Sequence, residues 1–320
     1  MSRIVVTGAN GFVGRAVCRT LLAHGHEVTG LVRRAGGCVA GLSEWLHEGP
    51  DFGGLDQTRW PGVDCVIHLA ARVHVMQDTV ADPDAAFRAS NVDGALRVAE
   101  AARRHGARRF VFVSSVKAIA EGDGGKPLAE DQPARPADPY GRSKHAAELA
   151  LRQFGEASGL DIVVVRPPLV YGPEVRANFL RMMTAVSRGL PLPFGAIQAR
   201  RSLIYVENLA DALLHCAIDP RAEGGCFHVA DDDAPSVATL LRMTGEALGR
   251  PARLLPFPAG LLRALGRLTG HTTQVERLVG SLQLDTGLIR RQLDWHPPHT
   301  TREGLAATAR WFHSHGGSGT

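Results

Sequence analysis

The chain has few cysteines, no long apolar run and little excess of either charge. Its five cysteines among 320 residues lack the short intervals of a zinc site, so we expect reduced, mostly buried thiols and no metal centre. No apolar stretch reaches the roughly 20 residues that span a bilayer, and no basic leader with a cleavage site stands near the N-terminus. These absences predict a cytoplasmic protein without a membrane span.

Charge is spread too evenly to indicate a nucleic-acid partner. The formal net charge is only +4, and the arginines occur in pairs rather than blocks, as at Arg103-Arg104 and Arg108-Arg109. A nucleic-acid-binding surface normally has a clustered basic patch. With 44% hydrophobic residues, the chain can bury one large core or two smaller ones. We therefore expect a globular protein that binds no nucleic acid.

The most informative stretch is a glycine-rich turn near the N-terminus, Thr7-Gly8-Ala9-Asn10-Gly11-Phe12-Val13-Gly14. It follows the apolar run 4–6 and opens a segment, 12–24, with helical apolar spacing, so the pattern is strand, turn, helix. Such glycines permit a tight turn, let the backbone approach a diphosphate and let helix and strand pack closely. The stretch predicts dinucleotide binding, with a purely structural turn as the alternative.

The predicted second strand, 27–32, bears on the identity of the cofactor. Where a Rossmann fold normally carries an acidic residue for the adenosine ribose, this chain has Val32, followed by Arg33 and Arg34. An acidic side chain would repel a 2′-phosphate, whereas an arginine can bind one through two hydrogen bonds. The sequence therefore favours NADP, unless both arginines are solvated or one stacks on the adenine of NAD.

The next two predicted strands add candidates to the same site. A third strand is predicted at 44–47, and Asp51 in the following turn is placed to meet the adenine. A buried strand is predicted at 63–69. The small residues at its end, Ala70-Ala71, leave room for a flat ligand.

A long helix is predicted from Asp82, as its cap, to His105. Asn91 lies inside it and either steadies the loop that bears the site or lies on the surface. A further strand at 108–115 ends in Ser114-Ser115 rather than in an apolar residue. The glycine- and proline-rich segment 116–138 is predicted to form a long loop over a cleft.

Tyr140 and Lys144 begin a helix predicted to run to about Gly155, and they lie one turn apart on the same face. A lysine ammonium at this spacing lowers the pKa of a phenol electrostatically and can also hold the ribose of a nicotinamide nucleotide. The isolated pattern is common and usually marks a surface. After a glycine turn, alternating strands and helices, and a serine-ended strand, it indicates an acid and base pair.

These features resemble the extended short-chain dehydrogenase/reductases, specifically the NAD-dependent epimerase/dehydratase family that acts on nucleotide sugars, with the UDP-glucose 4-epimerases as the group most similar overall. The resemblance covers nearly the whole chain. The motifs that carry it are Thr7 to Gly14, His68-Leu69-Ala70-Ala71, Asn91 to Gly94, Phe112 to Ser115, Tyr140 to Lys144, Arg166-Pro167 with Tyr171-Gly172-Pro173, Asn178-Phe179-Leu180 and Arg201 to Asp211. It implies an α/β fold, a Rossmann doubly wound parallel sheet with a smaller C-terminal α/β substrate domain.

The same resemblance implies a division into two domains. Residues 1–166, with about 201–230 returning to them, form the dinucleotide-binding domain. Residues 167–200 and 231–312 form the sugar-nucleotide domain, and a polar tail at 313–320 is expected to be disordered.

The stretch Leu254 to Leu268 alternates apolar and basic residues. It predicts a helix buried against the small domain or a neighbouring subunit, with attachment to a membrane surface as the alternative. The resemblance also implies a homodimer through helices near Asn91 and Tyr140, and a UDP-sugar as substrate.

The roles of the catalytic residues follow from the resemblance. It implies that Ser115 hydrogen-bonds the reacting sugar oxygen, that Tyr140 moves its proton, and that Lys144 tunes Tyr140 while binding ribose. The cofactor site would comprise Gly8, Asn10, Gly11, Phe12, Val13, Gly14, Arg33, Asp51, Leu69, Ala70, Ala71, Asn91, Tyr140, Lys144 and Pro167.

Four residues are candidates for substrate binding. Asn178 matches a position that meets the nucleotide or diphosphate, and Arg201 matches an arginine that neutralises the diphosphate. Arg277 would be a second diphosphate ligand or part of a surface salt bridge. Lys117 contacts substrate or diphosphate, or is an exposed loop lysine.

Three reactions use this machinery in the family. A 4,6-dehydratase carries an acidic pair after the serine, where this chain has Val116 and Lys117, so dehydration is disfavoured. A 4-epimerase oxidises C4 and returns the hydride to the other face of the sugar. A 4-ketoreductase, such as one that makes UDP-N-acetylquinovosamine for surface polysaccharides, uses NADPH in each cycle.

The sequence places a 4-epimerase slightly ahead of a 4-ketoreductase. The absent acid at Val32 suits the reductase, as does Leu169, which stands where many epimerases have a substrate-binding asparagine. A non-catalytic scaffold is a third hypothesis. It is disfavoured because Ser115, Tyr140 and Lys144 are all present.

Overall fold

Parallel strands form the centre of the protein. A computed structural model describes residues 1–49, 51–55, 60, 62–73, 82–270 and 272–315, apart from the side chains of 273, 274 and 277. The strands of this part are β1 (Arg3–Thr7), β2 (Glu27–Val32), β3 (Ser43–Leu46), β4 (Cys65–His68), β5 (Arg109–Val113), β6 (Asp161–Arg166), β7 (Leu169–Tyr171), β8 (Leu203–Tyr205) and β9 (Cys226–His228). The main sheet has the order β3-β2-β1-β4-β5-β6-β9, all parallel, and β7 pairs with β8 in a separate parallel sheet.

Helices cover both faces of the main sheet. In chain order they are α1 (Phe12–Ala23), α2 (Pro83–Arg88), α3 (Gly94–Arg104), α4 (Pro139–Ser158), α5 (Ala177–Ser187), α6 (Val206–Ile218), α7 (Val237–Ala247), α8 (Ala259–Leu268), α9 (Thr272–Val279), α10 (Gly287–Leu293) and α11 (Thr301–His315). Along β6, Val163 and Val165 pack in the core with α1 and α6, whereas Val164 packs in the core with α3 and α4. Alternate residues of the strand therefore face opposite layers, which confirms the predicted doubly wound sheet.

The predicted helix from 82 to 105 is present, with a π-helical turn inside it. Asp82 does cap α2, since its Oδ1 accepts a hydrogen bond from the Ala85 N–H at 3.0 Å. A π-helical turn at Ala89–Asp93 then separates α2 from α3. Such a wide turn adds a residue to the helix, and here its buried members include Asn91, which is only 1% exposed. The surface alternative for Asn91 is therefore wrong.

The chain returns to the main sheet after the small sheet is made. Strand β9 pairs with β6, and α6 packs against α1, whereas β8 pairs with β7 in the small sheet. The domain boundaries themselves stay a prediction. Helix α11 continues through His315, where the Ser314 Oγ and the His315 Nδ1 lie 2.9 and 3.2 Å from the Trp311 carbonyl oxygen. The predicted tail start at His313 is thus too early, and residues 316–320 lie outside the described part.

The apolar stretch at 254–268 is only partly helical. Helix α8 starts at Ala259 because prolines precede it, and Leu262 and Gly266 are its buried residues. The side chain of Leu268 is 83% exposed, so the prediction of a buried helix holds for one face only. None of the described helices combines the length and the apolarity needed to cross a bilayer.

Candidate active site

The glycine-rich turn joins β1 to α1 by a close backbone approach. Gly8 has φ +67°, in the left-handed region that favours glycine. A Cβ on Gly14 would lie 2.1 Å from the Gly8 carbonyl oxygen, so only glycine fits there. Gly11 precedes α1, and no side chain caps this helix. The first N–H groups of α1 are therefore open to an anion.

A cleft of about 470 Å³ lies at the carboxyl ends of β1, β2 and β4. From β1 the chain adds β2 and β3 on one side of the sheet, and it then returns to add β4, β5 and β6 on the other side. The boundary between β1 and β4 is thus the switch point at which doubly wound folds bind nucleotides. The cleft is lined by Gly8, Asn10, Gly11, Leu31, Val32, Arg33, His47, Phe52, Leu69, Ala70, Ala71, Arg72, Val73 and Ser90. None of these lining residues is acidic, so the cleft is suited to an anionic ligand.

Two aromatic residues of this cleft were missed by the sequence reasoning. His47 and Phe52 stack with ring centroids 4.1 Å apart and provide a flat aromatic wall. The predicted adenine residue, Asp51, instead forms an ion pair with Arg97 of α3. Its place in the cofactor site stays a prediction. The sequence could have indicated this pair, because both residues follow β3 and the carboxyl ends of parallel strands border the predicted cleft.

Arginine side chains adjoin the cleft at the end of β2. A cavity of about 300 Å³ is lined by Asn10, Arg33 and Arg34. Val32, where an acid would repel a phosphate, presents an apolar wall to the larger cleft. The arrangement can hold an additional anionic group beside the ribose end of a dinucleotide.

The wall at residues 70–73 is held in place by Asn91. The Arg72 N–H donates to Asn91 Oδ1 at 2.8 Å, and Asn91 Nδ2 donates to the Arg72 carbonyl at 3.0 Å. The same Nδ2 donates to Ser143 Oγ of α4 at 2.9 Å. Asn91 is not among the lining residues, so it acts on the cleft through Arg72. It also ties the cleft wall to the helix that carries Tyr140 and Lys144.

The catalytic candidates meet at the end of the neighbouring strand, β5. Ser115 follows this strand and caps a short 3₁₀ turn, where its Oγ accepts the Lys117 N–H at 3.2 Å. Tyr140 lies in the first turn of α4 and is hydrogen-bonded to Ser115. Lys144 is buried, and its Nζ donates to the Val113 carbonyl at 2.8 Å and lies 4.6 Å from the centroid of the Phe112 ring.

The pKa values of Tyr140 and Lys144 are both displaced by burial. Burial raises the pKa of Tyr140 to about 12, since it outweighs the Ser115 hydrogen bond that lowers this pKa. Burial lowers the pKa of Lys144 to about 7, against the opposing charge of Glu148. The predicted lowering of the phenol pKa is therefore wrong for this structure. The Tyr-Lys spacing gives only the position of the ammonium and contains no information about desolvation.

A buried ion pair lies behind these residues and was not singled out in the sequence. Arg166, at the end of β6, donates from Nε and from a terminal guanidinium nitrogen to the two oxygens of Glu148, at 2.9 and 2.6 Å. The Ser114 Oγ donates to the same carboxylate at 2.5 Å. Glu148 is fully buried and follows Lys144 by one helical turn. The sequence does contain an indication of Glu148, because its carboxylate lies at helical spacing on the face of α4 that carries Tyr140 and Lys144.

The predicted substrate residues have different surroundings. Asn178 is exposed at the start of α5, and Arg201 is half-buried where its backbone bridges to Leu282. Lys117 has two carboxylate partners, Asp138 at 2.6 Å and Glu121 at 3.0 Å. The side chain of Arg277, in α9, lies outside the described part of the chain. The substrate roles of these residues stay predictions.

The remaining candidates lie at the margins of the site. Phe12 and Val13 open α1 and are partly buried against the core rather than lining the cleft. Pro167 follows β6, and its carbonyl accepts the Val116 N–H at 3.0 Å. This bond fixes the turn after Ser115 to the end of β6. The cofactor roles of Phe12, Val13 and Pro167 also stay predictions.

Known proteins are similar to this chain over nearly its whole length. The NAD dependent epimerase/dehydratase family matches residues 4–230. A UDP-glucose 4-epimerase of Vibrio cholerae is 38% identical over 314 residues, which cover 97% of this chain and 95% of that protein. A UDP-glucose 4-epimerase of Mycolicibacterium smegmatis is 29% identical over 330 residues, covering 97% and 98%. The crystal structure of the Thermus thermophilus UDP-glucose 4-epimerase in complex with NAD is 26% identical, covers 98% of this chain and 99% of that one, and has a TM-score of 0.77. The chain therefore belongs to the NAD-dependent epimerase/dehydratase family, and it is an enzyme of that family.

Proposed function

We propose that the protein is a nucleotide-sugar 4-epimerase that acts by reversible hydride transfer at C4 of a UDP-hexose or UDP-N-acetylhexosamine. The observation that carries the proposal is the meeting of Ser115, Tyr140 and Lys144 at the end of β5, beside the cleft at the end of β4. The 38% identity to a UDP-glucose 4-epimerase supports the same substrate class.

The cleft suits a nicotinamide dinucleotide. Its glycine turn leaves the backbone accessible, the N–H groups of α1 are open to a diphosphate, and its lining contains no carboxylate among the described residues. Residues of the turn would hold the diphosphate, and Lys144 would hold the ribose next to the nicotinamide. When bound, this group supplies the acceptor and donor of hydride.

The chain's own groups handle the proton. Ser115 holds the C4 oxygen of the sugar by a hydrogen bond, and Tyr140 accepts the hydroxyl proton as the hydride leaves C4. The Lys144 ammonium, one turn along α4, would offset part of the burial that raises the pKa of Tyr140. The ketosugar then turns over, and Tyr140 returns the proton to oxygen as hydride arrives from the opposite face. No net proton or electron is consumed.

A 4-ketoreductase of a UDP-4-keto-6-deoxy-N-acetylhexosamine is the second candidate. The cavity between Arg33 and Arg34 favours it, because a 2′-phosphate would fit two guanidinium groups and NADPH is the usual reductant for such a step. The reductase would use Tyr140 as a proton donor only. A 4,6-dehydratase remains disfavoured, since Val116 and Lys117 offer no carboxylate after Ser115.

One assay separates the two candidates. Purified protein is denatured, and the released nucleotide is identified. Fresh enzyme is then incubated with UDP-glucose, UDP-N-acetylglucosamine and a UDP-4-keto-6-deoxy sugar, each with and without NADPH. Epimerisation without added reductant is the expected result. Turnover that consumes NADPH in equal amount would establish the reductase instead, and turnover in neither condition would contradict both.

Replacing Arg33 with alanine is expected to weaken NADP binding roughly tenfold to a hundredfold, because a hydrogen bond to a charged group contributes about 1.5–3 kcal/mol. NAD, which has no 2′-phosphate, should bind with nearly unchanged affinity. Fluorescence titration with each nucleotide checks this. The matched control is Arg108→Ala. Arg108 directly precedes β5, at the end of the sheet away from the cleft, and its side chain is 85% exposed. Equal loss for both nucleotides would contradict a 2′-phosphate contact.

A homodimer through α3 and α4 is proposed with the function. Leu149 of α4 is 53% exposed, as expected for a side chain on a surface between subunits. Sedimentation analysis of wild type and Leu149→Glu checks the proposal. A monomer in both would overturn it.

A further inference from the structure

Lys117 connects the two segments that carry Ser115 and Tyr140. Its backbone N–H donates to Ser115 Oγ at 3.2 Å, so it belongs to the turn that holds the serine. Its Nζ lies 2.6 Å from Asp138 Oδ2. Asp138 is the N-cap of α4, and its Oδ1 accepts the Gly141 N–H at 2.7 Å. Lys117 therefore reaches the first turn of α4 through the residue that caps it.

The backbone of Lys117 also contacts this helix directly. A Cβ on Gly141 would lie 2.3 Å from the Lys117 carbonyl oxygen, so the two main chains touch with no room for a side chain. Gly141 directly follows Tyr140. The relative position of the serine turn and the tyrosine is thus set by a close backbone contact and by an ion pair from the same lysine.

The charges around Tyr140 come from several elements. Asp138 and Glu121 lie on the side of Lys117, and Glu121 is 3.0 Å from its Nζ. Lys144 follows Tyr140 on α4. From α2, the Phe87 ring packs edge-on against the Tyr140 ring, and Asp84 pairs with Arg142 of α4 at 2.9 Å. After burial and the Ser115 hydrogen bond, the negative charge of Asp138 is the remaining influence on the pKa of Tyr140, and it raises that pKa. Lys117 is a cation that faces this carboxylate.

We propose that Lys117 is a positioning residue for proton transfer at Tyr140: it holds the serine turn against α4 and offsets part of the negative charge of Asp138 and Glu121. The proposal rests on the proposed function, in which Tyr140 exchanges a proton with the sugar oxygen. It replaces a direct substrate contact as the role of Lys117, because both carboxylates lie within ion-pair distance of its Nζ. Hydrogen bonds from Lys117 and from Gly141 also hold the pKa of Asp138 below its usual value, despite burial that raises it. Asp138 is therefore charged at neutral pH.

The test is the pH dependence of kcat in the whole enzyme, with four variants. Lys117→Met is expected to raise the apparent pKa that Tyr140 imposes on kcat by about one unit and to lower kcat about tenfold at neutral pH, with KM for the sugar nucleotide within about twofold. Lys117→Arg should restore most of kcat. Asp138→Asn, which keeps the cap, should lower the apparent pKa, and the double variant Lys117→Met/Asp138→Asn should return towards wild type.

Lys126→Met is the matched control, an exposed lysine in the same loop, and should leave kcat, KM and the pH profile unchanged. A raised KM with unchanged kcat and pH profile in Lys117→Met would overturn the proposal in favour of a substrate contact. If Lys117→Met does not fold, an unshifted pH profile in Asp138→Asn overturns it. Full turnover in Tyr140→Phe would overturn the proposed function as well, whereas an inactive Tyr140→Phe beside an unaffected Lys117→Met overturns this inference alone.

Discussion

Replacing Tyr140 with phenylalanine is expected to lower kcat by roughly 10²–10⁴-fold, the usual contribution of a positioned general acid or base. The ring remains, so its edge contact with Phe87 and the start of α4 are preserved. Only the hydroxyl that exchanges the proton is lost. Binding of the nicotinamide nucleotide should be retained, because the cleft is built from the ends of β1, β2 and β4. Steady-state turnover and nucleotide titration of the same preparation check both expectations.

Tyr171→Phe is the matched control for this substitution. Its hydroxyl donates to Asp231 at 2.8 Å in the buried core, away from the cleft. This variant should lose stability, by about 1–3 kcal/mol for a broken buried hydrogen bond, and should keep its turnover. Loss of activity in Tyr171→Phe together with normal activity in Tyr140→Phe would contradict the assignment and support the non-catalytic scaffold.

Replacing Glu148 with alanine is expected to cause the largest loss of stability, about 3–5 kcal/mol. The substitution leaves the Arg166 guanidinium, which is 4% exposed, without its carboxylate partner. It also removes the acceptor of the Ser114 hydroxyl. A folded protein is stable by only about 5–15 kcal/mol, and each kcal/mol lost lowers its melting temperature by a few degrees. The melting temperature should therefore fall by roughly 5–15 °C. Thermal unfolding followed by circular dichroism measures the change.

Two further variants distinguish the buried charge from a general effect on α4. Glu156→Ala removes an exposed carboxylate from the same helix and should melt close to wild type. The double variant Glu148→Leu/Arg166→Met removes both charges and should recover part of the loss, since no unpaired ion remains in the interior. Equal melting temperatures for Glu148→Ala and Glu156→Ala would show that the ion pair contributes no net stability.

Much of the fold could be predicted because its signals are local. The bounds predicted for β2 agree with the structure, since an apolar run in a parallel sheet is continuous and here ends at the polar residues Arg33 and Arg34. The Gly8 turn was also predictable, because its left-handed φ and the contact at Gly14 involve residues close in sequence. The predicted helix 82–105 contained a π-helical turn that its periodicity did not reveal. Its cause is the burial of Asn91 against Arg72 and Ser143, which are distant in the chain.

By itself the sequence determined the order of the first five strands, the glycine-rich turn and the grouping of Ser115, Tyr140 and Lys144, since all of these follow from spacing and from which strand ends share an edge. Only the tertiary structure decided the partners of Lys117 and Glu148 and the aromatic wall of His47 and Phe52. It also reversed the expected direction of the Tyr140 pKa shift. The physical reason is that burial and charge pairing depend on distances between segments far apart in the chain, and these distances exist only after the helices have packed on the sheet.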